Sequence, residues 1–342
     1  MKIEKKGNII HKVSMVFVLI FQVIFFILLQ VIFIPFAVIG IVDGLYKEVI
    51  HTKKYGISFT AVQALQYRWI MHYFESRPDD LSIRFIKKFP CESHFGLWTT
   101  LGPLILAQKL TGFKTKLSNL KEPGYETIIS TPGRRLIMFD DIMKTHIDNV
   151  DQIVMPGSGF DLMTLTHTYG KKVKVYELDQ VNTLNLKVDT LDKAGISHDW
   201  ITYIPVDFSK EQWDELLINA GFDKTKKTLF IWQSVSLYLT EEQVVETIKK
   251  MSELSAPGSI VAQDFYSAAF VSGKTSKTAK KTESMMSKNG EPWVFGLDMS
   301  NNPNEAVSLF LSKCGLEMTN ILQFGEKINA TPFYCIVEAT KK

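Results

Sequence analysis

A glycine-rich turn follows the first predicted strand in the central part of the chain. The turn comes directly after the apolar run 152–156 and consists of Gly157, Ser158, Gly159, Phe160 and Asp161. Glycines at such a position let the backbone approach a ligand that a Cβ atom would exclude, and they tolerate the dihedral angles of a tight turn. A turn without a ligand has the same local sequence, so the motif alone indicates a binding site only weakly.

Two acidic residues, Glu177 and Asp179, end the second predicted strand. They lie about 20 residues beyond Gly157, where Rossmann-like folds place an acid that accepts hydrogen bonds from ribose hydroxyls. A solvated strand end is the alternative, and the distance from the glycine turn disfavours it. A dinucleotide is also disfavoured, because the third glycine of the G-x-G-x-x-G pattern would fall at Leu162. The pattern favours an adenosyl ligand without a pyrophosphate.

The next two predicted strands also end in residues suited to contact a ligand. Asp207 and Phe208 end the third strand, where a carboxylate can accept from an adenine amino group and a ring can cover the base. Gln233 lies near the end of the fourth strand. The carboxyl ends of parallel strands meet at one edge of a sheet, and open α/β sheets bind ligands there. Four consecutive strands therefore predict one binding site.

Short apolar runs alternate with helical patterns from about residue 150, which is typical of βαβ units and a parallel sheet. The predicted strands are residues 152–156, 172–178, 200–208, 228–235, 259–265, 321–325 and 333–339. The last two are joined by a short polar connection and are expected to pair antiparallel. The predicted fold class is therefore α/β, with a Rossmann-like, mostly parallel sheet of seven strands that ends in a C-terminal antiparallel hairpin.

Two further regions complete the predicted organisation. Residues 58–147 combine amphipathic patterns with Pro and Gly breakers, which predicts a helical subdomain. The Lys-, Ser- and Thr-rich segment 272–290 predicts a mobile surface loop or lid. We therefore expect an N-terminal membrane anchor over residues 1–50, a helical cap over 51–150 and a Rossmann-like ligand-binding domain over 151–342.

The N-terminal part has no charged residue between positions 13 and 42, which predicts a membrane-anchoring helix over about residues 14–42. A helix of this length extends about 45 Å against a hydrocarbon core of about 30 Å, so we expect it to tilt or to lie partly among the headgroups. Pro35 is expected to kink or end the helix. A signal peptide has a shorter apolar run and a core helix has a polar stripe, so a retained anchor, single-pass or monotopic, is favoured.

Charge and cysteine content limit the partners. A formal net charge of +3 is too small to indicate a nucleic-acid partner. The cysteines, Cys91, Cys314 and Cys335, are widely separated and odd in number, which indicates neither a disulfide framework nor a metal-ligand cluster. We expect a small molecule and a membrane as partners, with no nucleic acid and no metal.

Taken together, these motifs resemble those of the leucine carboxyl methyltransferase superfamily, over roughly residues 57–340. They are Arg135 with Phe139-Asp140-Asp141, the glycine turn, Glu177-Leu178-Asp179-Gln180, Val206-Asp207-Phe208, Val235-Ser236-Leu237-Tyr238-Leu239-Thr240 and Pro292-Trp293-Val294-Phe295-Gly296. Each motif is short, but their joint order and spacing are specific. The resemblance implies S-adenosylmethionine (SAM) as the cofactor.

The resemblance also implies which residues contact SAM. The implied cofactor-binding set is Arg135, Gly157, Ser158, Gly159, Asp161, Glu177, Asp179, Asp207, Phe208 and Gln233. Arg135 would hold the methionyl carboxylate, and Gly157 would contact the methionyl portion. Asp179 or Glu177 would bind the ribose, and the acid and ring after the third strand would bind the adenine.

Gln233 departs from the family pattern, which usually has a glutamate facing the SAM ammonium group. An amide oxygen can accept that hydrogen bond but loses the charge-assisted part, and a charge-assisted bond is about twice as strong. Pro156 replaces an aliphatic residue before the glycine turn. Because Arg134 precedes Arg135, either arginine could be the one that holds the SAM carboxylate. Three explanations of these departures remain open. The protein binds its cofactor more weakly, it uses a different methyl acceptor, or it is an inactive relative of the family.

The resemblance implies transfer of a methyl group from SAM to a carboxyl or hydroxyl group of a small or lipid-like acceptor at a membrane. The catalytic domain is expected on the cytosolic side, where SAM is supplied. The alternatives are a membrane-anchored binding protein that has lost catalysis and an NAD-dependent oxidoreductase.

A hydroxyl acceptor needs a general base, and nothing in the spacing of His94, His146 and His167 selects one, so the catalytic residue is unassigned. Arg68 is a weaker candidate on the acceptor side.

Overall fold

The chain forms two compact units in a computed structural model that describes residues 2–113, 122–208, 210–329 and 331–341, with side chains described from residue 13 onward. One unit, called unit 1, comprises Met1–Lys54 and Arg68–Leu120. The other, unit 2, comprises Tyr55–Tyr67 and Lys121–Lys342. The sequence-based domain boundaries at residues 50 and 150 stay a prediction.

Unit 1 is helical. Its elements are α1 (Lys2–Leu45), a π-helical turn (Tyr46–His51), α2 (Thr52–Tyr55), the C-terminal part of α3 (Phe59–Tyr73), α4 (Asp80–Ile86) and α5 (His94–Thr111). Helix α1 continues through Pro35, so of the two expectations for this proline, a kink or a helix end, the helix end is wrong. Among the described residues, one helix, Val13–Tyr55, is long and apolar enough to span a membrane by length and composition, and its apolar window is 0% buried.

Helices α1 and α5 of unit 1 pack closely because small residues face each other. A Cβ atom on Gly40 would lie 1.9 Å from Thr99 Oγ1, and one on Gly96 would lie 2.5 Å from the Gly40 carbonyl oxygen. Both ends of α5 are also tied to α1. The Gln22 side chain donates to the Thr111 carbonyl over 2.6 Å, and the hydroxyl of Ser93, which caps α5, donates to Asp43.

An ion pair is buried elsewhere in unit 1. Arg68, at 1% exposure, donates to Asp79 Oδ2 over 3.0 Å, and Arg77 donates to the same oxygen over 2.5 Å. Asp79 also caps α4 by accepting the Ser82 amide over 3.0 Å. Burial alone would raise the pKa of Asp79, but the two arginines and the cap lower it below its ordinary value of 3.8.

Unit 2 contains a mixed sheet of seven strands in the order β3-β2-β1-β4-β5-β7-β6. The strands are β1 (Gln152–Pro156), β2 (Lys174–Asp179), β3 (Ile201–Pro205), β4 (Thr228–Trp232), β5 (Ile260–Tyr266), β6 (Leu316–Phe324) and β7 (Tyr334–Lys341). Strands β1 to β5 are parallel, whereas β7 pairs antiparallel with both β5 and β6. The predicted Rossmann-like sheet with a C-terminal antiparallel hairpin is confirmed.

Helices cover the sheet of unit 2. They are α6 (Thr131–His146), α7 (Met163–Thr168), α8 (Val181–Lys193), α9 (Trp213–Asn219), α10 (Glu241–Leu254), α11 (Ala268–Val271), α12 (Lys277–Lys288) and α13 (Pro303–Lys313), with short 3₁₀ turns at Ile147–Asn149 and Ser236–Tyr238. One core cluster joins strand residues such as Phe230 and Phe265 to Ile248 of α10 and Val307 of α13. Burial of this apolar surface is the main force that holds α10 and α13 against the sheet.

Segment 272–290, predicted as a mobile surface loop or lid, is largely helical because most of it forms α12, and its mobility stays a prediction. The Ser276 side chain caps this helix by accepting the Ala279 amide over 3.0 Å. Ala279 and Met286 are buried on one face of α12. Because most other residues of this segment are polar, the sequence pattern did not indicate an amphipathic helix.

The buried ion pair of unit 1 generates a prediction. Asp79→Asn removes the negative charge that the buried Arg68 and Arg77 share, and we expect it to lower the free energy of unfolding at pH 7 by about 3 kcal/mol. Because the pKa of Asp79 is lowered by folding, its contribution is present above its ordinary pKa of 3.8 and is lost as the pH falls through the folded-state pKa. Denaturant titration in detergent at pH 7 and pH 3 measures this difference.

The matched control is Asp80→Asn, which removes a neighbouring carboxylate whose side chain is 94% exposed. We expect this control to change stability by less than about 0.5 kcal/mol. Equal effects of the two variants at pH 7 would contradict the prediction.

Candidate functional site

The glycine turn joins β1 to α7 and is tied to the end of β2. The amides of Gly157 and Ser158 donate to the Leu178 carbonyl oxygen over 2.7 and 3.1 Å. Gly157 and Gly159 have φ values of +71° and +52°, in the left-handed region that favours glycine. A Cβ atom on Gly157 would lie 2.5 Å from Val235 Cγ2, so the turn can approach the segment after β4 only because residue 157 has no side chain.

Asp179 lies directly beside this turn. Its carboxylate accepts the Gly159 amide over 2.7 Å and the Gln180 amide over 2.7 Å. Burial raises the pKa of Asp179 above its ordinary value, although both amide hydrogen bonds act in the opposite direction. A carboxylate has about four lone-pair sites, so Asp179 keeps capacity to accept from a ligand hydroxyl.

Glu177 is fully buried and serves a different purpose. Its carboxylate pairs with Lys187 Nζ over 2.5 Å, and both side chains have 0% exposure. Lys187 also donates to the Asp161 carbonyl oxygen over 2.6 Å, and Thr164 donates to Glu177. Of the two acids that the sequence offered for a ribose, the structure places Asp179 at the turn and engages Glu177 in a buried ion pair.

Among the remaining residues of the turn, Asp161 and Phe160 have structural roles, whereas Ser158 differs from them. The Asp161 carboxylate accepts the Met163 amide over 2.7 Å at the start of α7. Phe160 is buried at 1% exposure. The Ser158 hydroxyl oxygen is buried and has no hydrogen-bond partner among the described residues. Ser158 is therefore the member of the turn best placed to bond to a ligand.

Asp207 and Phe208 follow β3, which ends at Pro205. The Val206 amide donates to the Asp179 carbonyl oxygen over 2.9 Å, so the chain leaves β3 next to the glycine turn. Asp207 pairs with Lys210 over 2.7 Å. Phe208 is partly buried against the core. The structure brings these two residues to the same edge of the sheet as Asp179.

Gln233 follows the last residue of β4, at a turn that the sequence did not predict. Ser234 has a φ of +58°, which is unusual for a residue other than glycine. Its amide donates to Asp264 Oδ1 over 2.9 Å and to Oδ2 over 3.0 Å. The side-chain oxygen Oε1 of Gln233 is buried without a hydrogen-bond partner in the part of the chain that the structure describes.

Arg135 lies on α6 among phenol rings. Burial alone would lower its pKa, but Tyr266, Tyr334 and Asp264 raise the pKa well above its ordinary value. The guanidinium interacts with the hydroxyl of Tyr266. Its Nε is buried and has no hydrogen-bond partner within residues 13–113, 122–208, 210–329 and 331–341. Sequence reasoning selected Arg135 but missed Asp264, Tyr266 and Tyr334, which are distant in sequence and belong to no motif.

The start of α3 contributes a cover that the sequence did not reveal. Glu291 accepts the amides of Phe59 and Thr60 over 2.6 and 3.2 Å. The Tyr238 hydroxyl donates to Thr60 Oγ1 over 3.1 Å. A Cβ atom on Gly159 would lie 3.7 Å from that of Ala61, so this part of α3 lies over the glycine turn.

The other polar candidates have structural partners. Arg68 pairs with Asp79 in unit 1, and His94 accepts from Trp69 over 3.0 Å. In unit 2, His146 bonds to Glu338 over 2.6 Å and His167 to Asp140 over 3.1 Å. No group of at least three His, Cys, Asp or Glu side chains within the described ranges is arranged to hold a metal ion.

Comparison with known proteins finds a family whose model matches the central segment of the chain. Residues 86–252 match the family described as leucine carboxyl methyltransferase. This match confirms the resemblance drawn from the motifs between Arg135 and Thr240. The motif at 292–296 lies beyond the matched residues and stays a prediction.

Individual relatives are named as S-adenosyl-L-methionine-dependent methyltransferases. A putative S-adenosyl-L-methionine-dependent methyltransferase of Mycolicibacterium vanbaalenii is 32% identical over 41% of this chain and 46% of its own length. One of Mycobacterium ulcerans is 27% identical over 52% of this chain and 56% of its own length. The chain thus spans about half the length of these relatives.

Solved structures are more distant. A DUF574 family protein of Streptomyces avermitilis has a TM-score of 0.46 and 13% identity, with coverage of 61% of this chain and 84% of that protein. The fold assignment rests on the strand order of unit 2.

The close approach of Gly157 to Val235 generates a second prediction. Gly157→Ala adds a Cβ in a left-handed conformation and in steric conflict with Val235 Cγ2, and we expect it to lower the free energy of unfolding by about 3 kcal/mol. Gly170→Ala is the matched control, since Gly170 has the same φ of +71° and nothing within 4 Å of the added Cβ. We expect the control to cost about 1 kcal/mol, as measured by denaturant titration.

The double variant Gly157→Ala/Val235→Ala should recover most of the difference between the two single variants, because it removes the clash and keeps the backbone strain. Equal losses of stability in Gly157→Ala and Gly170→Ala would show that the close approach is unimportant.

Proposed function

We propose that this protein is a SAM-dependent methyltransferase, on the premise that residues 86–252 are a leucine carboxyl methyltransferase family segment. The observation that carries the proposal is a set of buried polar atoms that lack partners in the described part of the chain: Ser158 Oγ, Gln233 Oε1 and Arg135 Nε. Buried polar atoms are rarely left unpaired, so a ligand with complementary groups is expected to satisfy them. The names of the relatives support the same activity.

The residues at the sheet edge fit the chemical groups of SAM. A neutral amide oxygen on Gln233 can accept from the ammonium group, and the Arg135 guanidinium can donate to the carboxylate in a charge-assisted bond. The free lone pairs of Asp179 suit ribose hydroxyls. We assign the adenine to Asp207 and Phe208, at the end of the neighbouring strand.

When bound, SAM supplies a methyl group that is already activated by its sulfonium centre. The protein then has to align an acceptor oxygen with the methyl carbon and exclude water. The part of α3 held by Glu291 and Tyr238 covers the glycine turn and can serve to exclude solvent there.

A carboxyl acceptor suits this site better than a hydroxyl acceptor. A carboxylate needs no general base, whereas a hydroxyl does. Burial raises the pKa of Tyr238, Tyr266 and Tyr334 above that of free tyrosine, so these phenols keep their protons at neutral pH and cannot act as bases. In unit 2, His146 and His167 are already bonded to carboxylates.

We propose further that α1 is a retained membrane anchor and that the acceptor is lipid-like. Residues 13–20 are exposed on all sides. Beyond them, a continuous apolar face of α1 is exposed, with Leu28 at 56% and Val31 at 61% exposure. An uncovered apolar surface of this length is costly in water and is stabilised in a bilayer. Either a single-pass or a monotopic arrangement would place this apolar surface in the bilayer, with the SAM site on the cytosolic side.

The second candidate function is a membrane-anchored binding protein without catalysis. Gln233 favours this reading, because a neutral partner for the SAM ammonium group loses the charge-assisted part of the bond. Incubation with methyl-labelled SAM and cell lipids separates the two candidates. We expect label in the lipid fraction, released as methanol by mild alkali because a methyl ester is hydrolysed and an ether is not.

Cofactor binding provides a third prediction. Gln233→Leu removes the acceptor for the ammonium group, and we expect it to raise the Kd for S-adenosylhomocysteine about tenfold, equivalent to about 1.4 kcal/mol. Isothermal titration calorimetry measures both proteins. The matched control, Gln323→Leu, makes the same chemical change at an exposed bond on β6 and should leave the Kd unchanged. A wild-type chain that binds no S-adenosylhomocysteine at millimolar concentration would refute the proposed activity.

The membrane anchor provides a fourth prediction. Leu28→Lys/Val31→Lys places two charges on the exposed face of α1, and we expect at least a tenfold loss of binding to phosphatidylcholine–phosphatidylglycerol vesicles. Flotation on a density gradient measures binding. Leu309→Lys/Ile328→Lys alters two exposed apolar residues of unit 2 and serves as the control. Equal flotation of both double variants would contradict the anchor.

A further inference from the structure

The carboxylate of Asp264 is buried on β5 and lies outside every motif of the chain. Its exposure is 1%. Besides the Ser234 amide, it accepts the Ser234 hydroxyl over 3.2 Å and the Tyr334 hydroxyl over 2.6 Å. Burial of a carboxylate is unfavourable unless hydrogen bonds and a counter-charge offset it, so a buried carboxylate at this position needs a structural or functional reason.

One set of these bonds shapes the turn that carries Gln233. The left-handed conformation of Ser234 is strained for a residue other than glycine and persists only where its surroundings impose it. Both oxygens of Asp264 accept the Ser234 amide, and the Ser236 hydroxyl donates to the Asp264 carbonyl over 3.0 Å. Because Ser234 follows Gln233 directly, this turn sets the direction in which the Gln233 side chain leaves β4.

The second set of interactions reaches Arg135. Asp264 is one of the groups whose negative charge acts on the Arg135 guanidinium. Tyr334, which donates to Asp264, is fully buried and packs against the ring of Tyr266 with centroids 4.7 Å apart. Tyr266 in turn interacts with Arg135. Asp264 thus connects the turn that follows Gln233 with the Arg135 guanidinium on α6.

We propose that Asp264 is a positioning residue for the amino-acid end of SAM. Its bonds to Ser234 fix the turn that follows Gln233, the group assigned to the ammonium, before the cofactor binds. Its buried charge acts on Arg135, the group assigned to the carboxylate. Asp264 does not touch the adenosine part in this scheme. The inference rests on the proposed function, since it concerns how the same site binds its cofactor.

The test compares two ligands that differ only at the amino-acid end. S-adenosylhomocysteine carries the ammonium and the carboxylate, whereas 5′-methylthioadenosine shares the adenosine and the thioether and lacks both. For Asp264→Asn we expect the Kd for S-adenosylhomocysteine to rise at least tenfold and the Kd for 5′-methylthioadenosine to change less than twofold. Isothermal titration calorimetry on the full-length protein in detergent measures all four values.

Asp140→Asn is the matched control for loss of a buried carboxylate. Asp140 is also 1% exposed and pairs with His167 over 3.1 Å. We expect this variant to affect both ligands equally. Tyr334→Phe is the second test and keeps the charge of Asp264 while it removes one hydrogen bond. It should shift the Kd for S-adenosylhomocysteine in the same direction by a smaller factor, and it tests the proposal even if Asp264→Asn does not fold.

Each outcome has a defined meaning. A selective loss of S-adenosylhomocysteine binding in Asp264→Asn or Tyr334→Phe supports the positioning role. Equal weakening of both ligands, or no weakening, overturns it while the proposed function stands. A wild-type protein that binds neither ligand overturns the proposed function itself and removes the premise of this inference.

Discussion

The approach of the Gly157 backbone to Val235 is the constraint on which the site depends. It brings the turn after β1 against the segment after β4, the neighbouring strand in the sheet. On its other side the same turn is bonded to Leu178 and Asp179 at the end of β2. A side chain at position 157 would force these strand ends apart and would open the edge where the polar groups converge. The site is therefore a consequence of backbone packing before it is a collection of side chains.

Sequence reasoning predicted much of this arrangement because its signals are local. The period of the apolar runs predicted all seven strands, and the position of β1 at 152–156 is exact. The end of β4 was placed at residue 235, whereas the strand ends at Trp232. The missing signal is the left-handed Ser234, which is stabilised by Asp264, 30 residues away in sequence. No local pattern encodes a turn that depends on such a partner.

The acids show why part of the site could not be read from residue types. Glu177 and Asp179 share a strand end and a plausible spacing, and sequence reasoning left both open for the ribose. Only the fold shows that Glu177 forms an ion pair with Lys187, because this pairing depends on how α8 packs on the sheet. Asp264 was not selected at all, since its partners come from the turn after β4 and from β7. Buried charges are paired through tertiary structure, and their partners carry no sequence signature.

The same logic applies to the polar atoms of unit 1 beside the proposed anchor. In hydrocarbon, every backbone and side-chain polar group has to be satisfied within the protein. The Thr100 hydroxyl donates back to the Gly96 carbonyl over 2.7 Å, and Gln22, one of the few polar residues in the apolar run, donates to the Thr111 carbonyl at the end of α5. Gly40 and Gly96 allow the close contact that brings these groups into reach. Close packing through small residues, together with polar side chains that bond to backbone carbonyls within the pair, is the combination that membrane-embedded helix pairs use. It supports α1 as an anchor on grounds that are independent of its hydrophobicity.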